Sequence, residues 1–226
     1  MLEAVKTSLW QRWVAANVVG TVVGLGITLM VGYIAYAGLG AGLGALGVVL
    51  GGAVISATGL VYGTAVGLAQ WWAMRPAFER MDDGLWWGAT LVGALVTWTM
   101  GTLPYTLLRL APAPATSRSP LRLGAVLLLA AGIGAVLGPL LALMQWLVLR
   151  QTVTGAARWL LAHSLAWALG LPLVLAGLNL ARNASSLTVA IGMLVVALAL
   201  TGTVVGAVTG VTLVSLAQPD ERIPLP

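Results

Sequence analysis

The chain has 226 residues, 60% of them hydrophobic and 8% charged, with 29 Gly, no Cys and a net charge of +5. Soluble domains carry about 25% charged residues, so this chain has too little polar surface to cover itself in water. The lack of Cys excludes disulfides, thiolate metal sites and thiol catalysis. The positive charge sits in short segments between apolar runs, which speaks against nucleic-acid binding and for contact with anionic lipid headgroups.

A spanning helix needs about 20 mostly apolar residues, and six runs qualify. The first, Trp10 to Ala37, follows Lys6 and Arg12 and ends in Ala35-Tyr36-Ala37, which has the small-x-small form of a signal cleavage site. Its length, and a pattern that recurs twice later, mark it instead as a retained helix. Residues Met1 to Leu9 either lengthen it or form a short interfacial helix. A Gly-rich segment, Gly38 to Gly44, leads to the second span, Ala45 to Ala73. Arg75 to Asp83 then connects to the third, Leu85 to Leu108, and Asp82 and Asp83 read as a solvated loop. The Pro/Ala/Ser stretch Ala111 to Pro120 is the longest connection and precedes the fourth span, Leu123 to Leu149. Arg150 to Arg158 leads to the fifth, Trp159 to Leu180, and Arg182 to Ser186 to the sixth, Leu187 to Ala217. Pro104 and Pro172 lie inside the third and fifth spans and predict kinks. No connection is long enough for a folded domain, so residues 1–226 read as one all-α transmembrane domain.

Six spans put both termini on one side, with Lys6, Arg12, Arg75, Arg80, Arg150, Arg158 and Arg222. Arg109, Arg118, Arg122 and Arg182 fall on the other, and the excess favours cytoplasmic termini in the inner (plasma) membrane. Arg75 and Arg150 read as topology anchors and headgroup partners. Trp10, Trp13, Trp71, Trp72, Trp86, Trp87, Trp146 and Trp159 fall near the terminal side and read first as an interfacial belt. Tyr33, Tyr36 and Tyr105 mark the opposite interface.

An internal register organises these spans. Trp13, Trp86 and Trp159 are each 73 residues apart. At the same spacing come Ala16, Ala89 and Ala162; Asn17, Thr90 and His163; Gly20, Gly93 and Ala166; and Gly24, Thr97 and Gly170. Offsets of 4, 7 and 11 from the Trp fall within a helical stripe about 60° wide, so one narrow face carries a Trp, a polar residue and mostly small ones. In the even spans Gly59, Gly63 and Gly67 correspond to Gly134, Gly138 and Ala142, and to Gly202, Gly206 and Gly210. Small residues four apart let helix backbones approach closely where lipid removes the hydrophobic drive, so these glycines read as packing zippers. Three residues past each zipper come Gln70, Gln145 and Leu213. The chain therefore reads as three tandem helical hairpins, about 10–83, 84–156 and 157–217, with a pseudo-threefold axis along the membrane normal.

The pattern Trp10-x-x-Trp13-x-x-Ala16-Asn17-x-x-Gly20, with Gln145-Trp146-Leu147-Val148-Leu149-Arg150, resembles a group of bacterial polytopic membrane proteins common in cyanobacteria and filamentous phototrophs. The resemblance covers most of the chain. It implies a fold and a phototrophic setting, and no activity.

Odd spans leave the terminal-side interface at their Trp and even spans return there at their Gln, so Asn17, Thr90, His163, Gln70 and Gln145 should lie in one shallow layer. Interhelical hydrogen bonding is one use for them, worth roughly 0.6 kcal/mol per contact. A cofactor site is the other. His163 is the only histidine, and a neutral imidazole is a common metal ligand, here a candidate for the magnesium of a (bacterio)chlorophyll. Asn17, Gln70, Gln145 and Thr90 would complete such a site, and Trp98 and Trp167 would wall a tetrapyrrole or carotenoid.

The acids Glu3, Glu79, Asp82, Asp83, Asp220 and Glu221 all lie outside the spans, so an embedded carboxylate for ion-coupled transport is missing. Ser164 adjoins His163 and points about 100° away from it, which rules out a direct Ser-His couple. The Gly-rich Gly38 to Gly44 follows no strand and is no phosphate loop. The expectation is a non-catalytic accessory or scaffold subunit that packs with other membrane subunits in the bilayer, in a photosynthetic complex as the resemblance implies; a passive channel or carrier for a small solute is the alternative.

Overall fold

A computed structural model describes residues 2–39, 43–79, 81–111 and 122–218. Arg80, Arg118, Asp220, Glu221, Arg222 and most of the stretch from Ala111 to Pro120 lie outside the described residues, as does the middle of the Gly-rich segment. The described residues form six helices: α1 Leu2–Leu39, α2 Gly44–Met74, α3 Asp83–Leu110, α4 Leu123–Leu149, α5 Arg158–Arg182 and α6 Leu187–Leu216. All six are long and apolar enough to cross a membrane. The chain is a multi-pass membrane protein.

Each helix follows the expected run to within a few residues, except that α1 begins at Leu2. The residues ahead of Trp10 therefore lengthen the first span and form no separate helix. Pro104 and Pro172 lie within unbroken helices, and so does Pro139 in α4, which sequence reasoning passed over. Asp82 is more than a solvated loop residue: its side chain accepts from Leu85 N at 2.9 Å and caps α3, which satisfies one of the orphan donors of the first turn. Ser186 caps α6 in the same way, through Val189 N.

Every helix packs on its neighbours in the chain, and α6 closes against α1. The sparsest of these six contacts is α3 with α4. Glycines spaced four apart in α2, α4 and α6 lie against neighbouring helices. A Cβ on Gly63 would stand 2.8 Å from Leu91 Cα of α3, and one on Gly206 would stand 2.9 Å from Val14 Cα of α1. On Gly134 and Gly138 it would run into the backbone carbonyls of Trp167 and His163 on α5. Gly20 and Gly93 face the other way, against Val66 of α2 and the Leu141 carbonyl of α4. Outward faces carry residues such as Leu128, Val136, Leu161 and Leu165, all well exposed, as helices facing acyl chains require.

Candidate functional site

Three helices bring one tryptophan each to the bundle interior. Trp13, Trp86 and Trp159 are completely buried. Their ring centroids lie 6.4 Å (Trp13–Trp86), 5.7 Å (Trp13–Trp159) and 6.1 Å (Trp86–Trp159) apart, with interplanar angles of 64° to 67°. Edge-to-face pairs of this kind add about 0.5–1.5 kcal/mol each beyond the area they bury. This corrects the belt reading for these three: they form a core, and Trp72 and Trp87 are the ones exposed to the outside. The rim at this end also holds Arg12 over the Trp72 ring and Arg150 over the Trp146 ring, each 5.0 Å from the centroid.

One helical turn beyond each buried Trp, a polar side chain reaches back to that Trp's carbonyl. Asn17 Nδ2 donates to Trp13 O at 2.9 Å, the Thr90 hydroxyl donates to Trp86 O at 2.9 Å, and His163 Nδ1 meets Trp159 O at 3.1 Å. The i, i+4 spacing puts each pair on one face, which is why the same contact recurs at the 73-residue spacing. From there hydrogen bonds cross the bundle. Gln70 Nε2 donates to Asn17 Oδ1 at 3.0 Å, and Gln145 Nε2 donates to both Gln70 Oε1 at 3.0 Å and Thr90 Oγ1 at 2.9 Å. Gln145 Oε1 accepts from Trp159 Nε1 at 3.0 Å. Asn17, Gln70, Thr90 and Gln145 thus form one connected set. His163 joins it only through Trp159, whose ring lies 4.6 Å from the imidazole.

α6 departs from the pattern of α2 and α4, having no Gln at the corresponding position. Leu213 is fully buried at that position, and Trp13 Nε1 turns to Thr209 Oγ1 at 2.9 Å, one turn earlier on α6. Thr209 in turn donates to Val205 O at 2.6 Å. Sequence reasoning missed Thr209, because the corresponding positions Val66 and Leu141 are apolar; a lone Thr one turn before the missing Gln was the available signal. It also missed the indole N–H groups as donors. Trp86 Nε1 is buried with no partner, while Gln70 bonds Asn17 and Gln145.

The loops complete this end. Phe78 and Met81 between α2 and α3, and Val153 and Ala156 between α4 and α5, are buried in the same cluster as the three tryptophans. Further along the helices a second cluster includes Tyr62, which stacks on Trp98 at 4.6 Å and meets Trp167 edge-on at 6.3 Å. Beside it is a cavity of about 200 Å³ walled mainly by Leu25, Trp98, Leu137, Leu141 and Trp167. Thr97 also lines it, and its buried hydroxyl has no partner.

The arrangement fits the magnesium of a (bacterio)chlorophyll poorly. A carbonyl only accepts, so the Trp159 contact puts the proton on His163 Nδ1 and leaves Nε2 as the free acceptor, which is the right nitrogen for a ligand. Yet His163 is 1% exposed, packed against Trp159 and the Gly138 face of α4. It lines neither the cavity above nor the two described below. Ligand pockets run about 300–1,000 Å³, so the cavity beside Trp98 and Trp167 is small even for a modest ligand and has no room for a macrocycle. Among the described residues no three His, Cys, Asp or Glu side chains come together.

No family model, curated protein or solved structure matches the chain.

Proposed function

We propose that the chain is a non-catalytic scaffold or accessory subunit of a larger membrane complex, acting through its lipid-facing and partner-facing helix surfaces. The observation that carries this reading is the inward use of its polar groups. Asn17, Gln70, Thr90, Gln145, Trp159 and Thr209 bond to one another or to backbone carbonyls and are buried. Nothing in that set is left facing a pathway or a reacting group. In support, the tryptophan trio packs with Phe78 and Met81 in the interior of the bundle, where a passive solute pathway would need open space. In this reading the three hairpins are related about a pseudo-threefold axis along the membrane normal, the glycines act as zippers between them, and the termini lie on the cytoplasmic side of the plasma membrane. A phototrophic complex is the setting that the sequence resemblance favours.

The test is a mild-detergent purification of the tagged chain from native membranes, followed by native electrophoresis, mass spectrometry and an absorbance spectrum. Stoichiometric co-migration with other membrane subunits is the expected result. A chain that runs alone and, reconstituted by itself, passes small solutes across vesicles would overturn the proposal in favour of the channel. Bound pigment whose absorbance disappears in His163→Ala would reinstate the cofactor site.

A further inference from the structure

The half of the bundle away from the tryptophan trio contains a second cavity of about 210 Å³ between α2 and α3, with Ala35 of α1 at its edge. It shares Ile55, Gly101 and Thr102 with the interior cavity beside Trp98, so the two adjoin. Gly44, Gly47, Gly51 and Gly52 alternate with Val48 and Ile55 on its α2 wall, and a Cβ on Gly51 would meet nothing within 4 Å. The outer end is polar: Tyr105, Thr106 and Arg109 line it, and Arg109 is exposed in the last turn of α3. The inner end is apolar, with Leu25, Leu137 and Leu171 in its wall. From Arg109 to Thr97 the helix advances 12 residues, about 18 Å at 1.5 Å per residue. One leaflet of the hydrocarbon core is about 15 Å deep, half of the roughly 30 Å core.

We propose that this cleft holds one anionic phospholipid, its phosphate on the Arg109 guanidinium and one acyl chain running past Gly101 into the cavity beside Trp98. Charge at the mouth, a glycine-rich wall and an apolar end one leaflet deep match the three parts of such a molecule. Guanidinium binds phosphate through paired N–H donors, and Arg109 is exposed at the mouth of the cleft. The site is independent of the scaffold reading, which stands or falls on protein partners.

Native mass spectrometry of the purified full-length chain, with added phosphatidylglycerol or phosphatidylcholine of identical acyl chains, tests it. The wild-type chain is expected to retain one phosphatidylglycerol in preference to phosphatidylcholine, by about fivefold, the ratio that one arginine near a membrane surface gives. Arg109→Gln, a change at an exposed position, removes the preference. Gly51→Leu with Gly101→Leu fills the cleft and lowers retention of both lipids. Equal retention of the two lipids by the wild-type chain would overturn the proposal, and so would an undiminished phosphatidylglycerol preference in Arg109→Gln. Wild-type retention in the folded double variant would assign the lipid to the outer surface and overturn it equally.

Discussion

At one end of the bundle the loops fold under the helices, so that Phe78, Met81 and Val153 pack against Trp13, Trp86 and Trp159, and amide and hydroxyl groups on five helices are hydrogen-bonded in the layer above. At the other end a glycine-lined cavity opens between α2 and α3, α5 and α6 leave an open groove of about 420 Å³ at Gly177 and Gly192, and the Thr97 hydroxyl is buried unpaired. The contrast shows how a membrane bundle divides its tasks without a hydrophobic drive between helices. Lipid tails are as apolar as Leu, so close packing and interhelical hydrogen bonds hold the helices together, and here the connected hydrogen bonds are concentrated at one end. The other end is left with volume that lipid or a partner can fill.

Breaking the tight end should cost most. Trp159→Ala empties the centre of the trio and removes a donor to Gln145, and an aromatic-to-Ala change in a core costs about 3–5 kcal/mol. Reversible unfolding in mixed micelles with increasing dodecyl sulfate, followed by far-UV circular dichroism, would show the drop; a shift under 1 kcal/mol would remove the trio from the core. Next comes Gly138→Leu, which drives a side chain into the His163 carbonyl and should cost about 1–3 kcal/mol by overpacking. Gly132→Leu on the same helix, with open space around it, should stay within about 0.5 kcal/mol of wild type, and equal losses in the two would dissolve the distinction. A finer comparison pairs Trp159→Phe with Trp86→Phe. The first leaves Gln145 Oε1 without its indole donor and the second loses no hydrogen bond, so their unfolding free energies should differ by about 1 kcal/mol. At the loose end, Thr97→Val removes an unpaired hydroxyl and should leave stability unchanged or slightly raised in the same assay; a clear loss would mean that the hydroxyl is bonded.

Much of this was legible in the residues. The apolar runs located six helices to within a few residues because each must match the bilayer, and the 73-residue register named the trio and the side chains one turn beyond it. What the register left open was direction. In a soluble helix the polar face tells the core from the outside, whereas here Leu161 and Leu165 on the outer face are as apolar as anything within. Buried Trp13 and exposed Trp72 therefore looked alike. Thr209 was hidden for a related reason: its importance comes from α6 closing against α1, a contact between the two ends of the chain that no local pattern records. The cavities were illegible altogether, being defined by the spacing between helices.

The most direct test of the account is Gln145→Leu, because that one amide bonds Gln70, Thr90 and Trp159 from three other helices. At roughly 0.6 kcal/mol per interhelical bond, the account predicts a loss of about 2 kcal/mol in the dodecyl sulfate unfolding free energy, with the set of co-purifying subunits unchanged in protein that remains folded. Wild-type stability together with the disappearance of a bound molecule or partner would contradict it, and would make the polar layer a binding site after all.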